Sequence, residues 1–185
     1  MNIFNKPIPG KWLLLLFILT NLIYSAMVFV TIPEVMAFAD NMKLFDMSPM
    51  GYDPAYAQEL LTQLGPDGRH TYLTRQLPLD MIYPGLFAIT FSLLLAYCLD
   101  RINALRKPWQ LFCWLAVLGG LFDYGENLSV IQMLQSYPSI PDSLAYRSNI
   151  FTLLKSWTIL AYIIVLLIVL GIWGYRTLLK KNSSN

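Results

Sequence analysis

The sequence predicts an all-α fold: a four-helix transmembrane bundle with both termini in the cytoplasm. A helical extracytoplasmic segment is expected between the first and second spans. Three observations carry this expectation. The chain is 56% hydrophobic and 13% charged, with a mean hydropathy of +0.51, whereas soluble domains carry about 25% charged residues. Four stretches have roughly the length and apolarity needed to cross the hydrocarbon of a bilayer. Lysine and arginine are divided unevenly between the segments that join those stretches.

Residues 1–185 are read as a single integral membrane domain. The first span, 12–32, follows a short polar stretch carrying Lys6 and Lys11. A signal peptide would have a shorter apolar core, about 7–15 residues, ending at a small-residue cleavage site. Here Ser25-Ala26 is followed by Met27-Val28-Phe29-Val30, so an uncleaved anchor is expected. Residues 33–80 form the extracytoplasmic segment. Within it Asp53-Pro54 reads as an N-cap with proline in the first helical position, and Gly65-Pro66 reads as a stop. Tyr56, Leu60, Leu61 and Leu64 recur between them at helical spacing, which predicts a short amphipathic helix lying on the membrane surface.

A second short helical stretch, 67–76, leads toward the second span at 81–99. That span opens with Tyr83-Pro84-Gly85, where proline is tolerated in a first turn. Residues 100–108 form a tight basic turn, 109–135 the third span, 136–148 a loop and 149–175 the fourth span. Lys6, Lys11, Arg101, Arg106, Lys107, Arg176, Lys180 and Lys181 then fall on one side, against Lys43, Arg69, Arg75 and Arg147 on the other. The richer side is cytoplasmic by the positive-inside rule, which suits a cell (inner) membrane.

Several function classes are excluded. A net charge of +2 without a basic stripe gives no nucleic-acid surface. Cys98 and Cys113 form no CxxC and read as packing residues. One histidine and no cysteine pair leave no usual zinc donor set, so neither metal nor cofactor is expected. Arg69 and His70 read as exposed loop residues. The chain has no nucleophile elbow, phosphate loop or H-E-x-x-H helix. Asn127-Leu128-Ser129 and Asn182-Ser183-Ser184 match the glycosylation pattern, but fall inside the membrane and on the cytoplasmic side.

Chemistry concentrates in Phe122-Asp123-Tyr124-Gly125-Glu126-Asn127. An acidic residue at the centre of a span costs about 2.5–3.5 kcal/mol on insertion scales, so this helix needs a polar partner. The fourth span offers Lys155, and counting about 1.5 Å per residue from the outer ends puts it level with Glu126. Ala116, Gly119 or Gly120, Asp123 and Glu126 or Asn127 share one face, where small residues favour close helix approach. The candidate catalytic residues are therefore Asp123, Glu126 and Lys155. Asp80, Asn127, Arg75, Tyr83, Asn21 and Tyr24 are candidates for ligand binding from the neighbouring spans. Like charges three residues apart on a helix repel, so one proton is expected to be shared or exchanged at the site. A buried ion pair that merely fixes helix register is the structural alternative.

The run Gly68-Arg69, Tyr72, Asp80, Pro84, followed by Asp123, Glu126-Asn127 and Tyr137-Pro138, resembles small four-span membrane proteins of uncharacterised function. The likeness covers roughly residues 60–155 and implies no activity. Lipoprotein signal peptidase is similar in architecture alone. Its Asn- and Asp-containing blocks are absent here, since Asp123 has no F-N-x-A-D context, and its catalytic roles are not carried over.

Three classes of function remain. The site binds a lipid-like or membrane-protein partner, which is the reading adopted. Alternatively it is an intramembrane acid/base enzyme acting on an amphiphile, or a proton-coupled carrier working as an oligomer. Partners are accordingly membrane lipids, another membrane protein or further copies of this chain. An enzyme requires a cavity joining Asp123, Glu126 and Asp80. A purely structural pair requires those groups packed closed. A carrier requires a path past 111–118, which holds no ionisable residue.

Overall fold

The structure, a computed structural model, describes residues 9–106 and 108–182. Lys6, Lys107 and residues 183–185 lie outside the described residues, as do the side chains of Lys180 and Lys181. All regular structure among the described residues is helical. The principal helices are α1 (Gly10–Ala26), α2 (Ile32–Met36), α3 (Pro54–Gln63), α4 (Gly65–Thr71), α5 (Leu77–Arg101), α6 (Trp114–Ser136) and α7 (Asp142–Asn182). π-Helical turns at Met27–Thr31 and Tyr72–Gln76 join α1 to α2 and α4 to α5. The two joints face each other, and the Thr31 hydroxyl donates to Gln76 Oε1 across them.

Among the described residues three helices are long and apolar enough to cross a membrane, namely Gly10–Ala39, Gly65–Arg101 and Asp142–Leu179. The expected fourth, α6, does not meet that standard. Its polar residues Asp123, Glu126, Asn127 and Ser129 are all buried against neighbouring helices, and hydropathy averages them with the outward face.

The second helix begins well before the expected residue 81. It runs unbroken from Gly65, so Pro84 lies inside a helix rather than in its first turn. Such a proline leaves the carbonyl four residues earlier without its helical donor.

α1 packs on α5, α5 on α6, and α6 on α7, while α1 and α7 form no extensive contact. The α5–α6 approach depends on glycine. A Cβ at Gly120 would lie 2.6 Å from the Pro84 carbonyl oxygen, backbone that has no freedom to move aside. Buried Ala116, Gly119 and Gly120 share this face with Asp123, as their spacing predicts.

At one end of the bundle the segment between α2 and α4 folds into a cap. Asp53 caps α3 as expected, accepting from the Tyr56 amide at 2.7 Å. The apolar face of α3 does not lie on a membrane surface. Ala57, Leu60 and Leu61 are fully buried in a core shared with Val130, Met133 and Leu144. Arg69, expected to be an exposed loop residue, instead fastens this cap. Its guanidinium donates to the Leu61 carbonyl at 2.7 Å and stacks 3.8 Å from the Tyr137 ring centre. Cys98 and Cys113 are buried free thiols in the core at the opposite end.

Candidate functional site

α6 and α7 run antiparallel, which places Lys155 opposite the one-turn step from Asp123 to Glu126. Lys155 Nζ donates to Asp123 Oδ1 at 3.1 Å and makes a close ion pair with Glu126 Oε2. The other Glu126 oxygen accepts the Thr152 hydroxyl at 2.7 Å. Glu126 is 0% exposed and Lys155 9%. One cation thus serves two carboxylates away from water, where an unpaired charge is most costly.

Asn127 has a different duty. Its Nδ2 donates at 2.7 Å to the Asp80 carbonyl, the carbonyl that Pro84 deprives of a helical donor. Replacing Asn127 with Leu is expected to destabilise the protein by about 1–3 kcal/mol, the cost of a stranded buried carbonyl. Adding Pro84→Ala restores an amide four residues on and should recover most of that loss. Unfolding measurements on the two single variants and the double variant test this; additive effects would refute the assignment.

A cavity of about 590 Å³ lies between α1, α5 and α7. Asp46, Asp80, Asp123 and Lys155 line its polar end, and Val28, Ile159, Ile163 and Leu166 are among its apolar walls. Tyr24 and Ile163 are respectively 48% and 44% exposed. The cavity therefore reaches the molecular surface where α1 and α7 fail to close on each other.

The polar end is acidic and incompletely partnered. Asp80 is only 4% exposed, yet its carboxylate makes no hydrogen bond or ion pair with any described residue. Asp46 arrives from the helical turn Phe45–Met47 of the cap, and its Oδ1 is buried with no partner among the described residues. Burial pushes the Asp46 carboxyl up from 3.8 to about 6; attraction to Lys155 opposes the rise and repulsion from Glu126 adds to it. The cap is held over this end by Tyr52. Its hydroxyl donates to Ser148 Oγ at 2.6 Å and its amide to Asn149 Oδ1 at 3.0 Å.

The structure brings some of the candidate residues together and not others. Asp80, Tyr83, Asp123, Lys155 and Tyr24 share the cavity, with the Tyr24 and Tyr83 ring centres 5.5 Å apart. Glu126 is sealed behind Lys155, and Asn127 faces the α5 backbone. Asn21 donates to the Phe17 carbonyl of its own helix at 2.7 Å. Arg75 is exposed and pairs with Glu34 at 3.0 Å. Asp46 is the cavity carboxylate that sequence reasoning missed. Its one signal is an acid set within Leu44-Phe45-Asp46-Met47, an apolar island in a polar segment.

An all-helical chain with three helices of membrane-crossing length and apolarity, and polar groups gathered between them, suggests a membrane protein. No family model matches the chain, and no curated protein or solved structure does either.

Proposed function

We propose that this is a four-span membrane protein that binds a lipid-like amphiphile in the cavity between α1, α5 and α7. The polar head lies against the carboxylates in the extracytoplasmic half, and the apolar tail lies between α1 and α7. The reading rests on one observation above all: a cavity with charged groups at one end, apolar walls at the other and a lateral mouth. Mostly apolar pockets with a few convergent polar groups are the usual form of small-molecule sites.

The fourth crossing is supported by α6 itself. With 23 residues it is about 34 Å long at 1.5 Å per residue, enough to traverse the hydrocarbon. Trp114, Leu118, Leu121 and Leu128 form an exposed apolar stripe along it, opposite the buried polar face. The uneven division of lysine and arginine supports termini in the cytoplasm. Binding is favoured over acid/base catalysis by the pair Asp123 and Glu126, because Glu126 is walled off from the cavity that Asp123 faces. A proton-transferring pair must both reach the substrate.

The test is native mass spectrometry of the full chain released from nanodiscs made of a total membrane lipid extract, comparing wild type with Val28→Trp. Val28 lines the cavity, is half-buried and lies between the levels of the Tyr24–Tyr83 and Thr31–Gln76 contacts, close to Asp80, so an indole there obstructs the site at its polar end. A lipid-mass adduct retained by wild type and lost in the variant supports the proposal. A wild type that keeps no adduct, or a variant that keeps the same one, overturns it.

A further inference from the structure

Resting on that reading, we propose that the head recognised by this cavity is a primary ammonium, so that the ligand is a long-chain amine rather than a neutral or anionic lipid. The charge inventory at the polar end points this way. Asp46, Asp80 and Asp123 line the cavity with Lys155 as their one cation, and Lys155 is shared with Glu126. Counting Glu126 behind Lys155, four carboxylates stand against one ammonium at this end among the described residues, largely withdrawn from water. A second cation there removes repulsion, while an anionic head adds to it.

Hydrogen-bonding capacity narrows the choice. Among the described residues neither the Asp80 carboxylate nor Asp46 Oδ1 has a donor, and Asp80 is 4% exposed while lining the cavity. A primary ammonium brings three N–H donors and no acceptor. A hydroxyl brings one donor and no charge, and a quaternary ammonium brings charge without donors.

The walls suit a cation as well. Tyr83 and Phe87, with ring centres 5.9 Å apart, stand beside Asp80 on α5, and Phe91 follows 4.6 Å beyond Phe87. Aromatic faces attract ammonium groups and give the first carbons of a chain an apolar surface. A bare metal ion fits less well, because no three acidic, histidine or cysteine side chains among the described residues are placed to hold one.

The experiment is a headgroup series of constant tail: dodecylamine, dodecanol and dodecyltrimethylammonium. Each is titrated at pH 7.5 into the full chain in phosphatidylcholine nanodiscs, with empty nanodiscs as the blank. Binding is read by thermal shift and native mass spectrometry. Dodecylamine is expected to bind at least about tenfold more tightly than dodecanol, with the quaternary amine between them. In Asp80→Asn, amine and alcohol should bind with similar affinity. Asp46→Asn should reduce the same preference, and serves if the first variant folds poorly. Equal or tighter binding of the alcohol in wild type, or a quaternary amine that outbinds the primary one, overturns the ammonium assignment while leaving the amphiphile site standing. Binding of none of the three overturns both, as does equal binding by wild type and Val28→Trp.

Discussion

Lys155→Met is expected to destabilise the protein by about 3–5 kcal/mol, the usual result of removing one partner from a buried ion pair. Two carboxylates lose their cation at once. Asp123 Oδ1 loses its 3.1 Å donor, and Glu126 keeps only the Thr152 hydroxyl, on its other oxygen. Glu126 is 0% exposed, so water cannot replace the ammonium. Combining Lys155→Met with Asp123→Asn and Glu126→Gln should recover most of the loss, because a neutral cluster of similar volume has no charge left to strand. Thermal unfolding in a nonionic micelle at fixed pH reads both effects. A single variant as stable as wild type would mean that the lysine does not hold α6 and α7 together.

This cluster was legible because it is helical at both ends. Two acids three residues apart on one helix and a lysine at matching depth on an antiparallel neighbour can be paired by counting rise per residue. The buried face of Ala116, Gly119, Gly120 and Asp123 follows from the same periodicity, and the start of α3 at Asp53-Pro54 from capping chemistry. Sequence reasoning failed where the fold is set by distant packing. Pro84 was visible, but placing it in a first turn hid the carbonyl it frees. Only the unbroken helix from Gly65 shows that Asp80 needs the side chain of Asn127. Asp46 lies in a segment with no helical or strand period, and its approach to Lys155 depends on Tyr52 gripping Ser148 and Asn149 nearly a hundred residues away in sequence. The polar face of α6 misleads in the opposite way. An average over the helix circumference does not distinguish acids turned to a partner from acids turned outward, so α6 falls short of the hydropathy standard although its acids are buried against neighbouring helices.

Asp46→Asn is expected to stabilise the ligand-free protein at pH 7.5 and to have little effect at pH 4. Burial raises this carboxyl to about 6 in the folded state from the ordinary 3.8. Between those values the folded chain binds more protons than the unfolded chain, so stability falls as pH rises through the window. Below about 3.8 both states are protonated and the group costs nothing. Above about 6 the full penalty applies, on the order of 1–3 kcal/mol after allowance for the partial exposure of the residue. Asparagine cannot ionise and escapes that penalty, while occupying nearly the same volume beside Phe45 and Met47. Subtracting the wild-type from the variant unfolding curve at each pH isolates this one group from the other carboxylates. A gain that appears between pH 4 and 6.5 and then levels off is the expected signature. A gain of equal size at both extremes would show that Asp46 destabilises through packing and not through its buried charge. Because the same carboxylate is an open acceptor on the cavity wall, the variant that stabilises the empty protein should also be the one that binds dodecylamine less well. A site kept short of cations is poised to take one up.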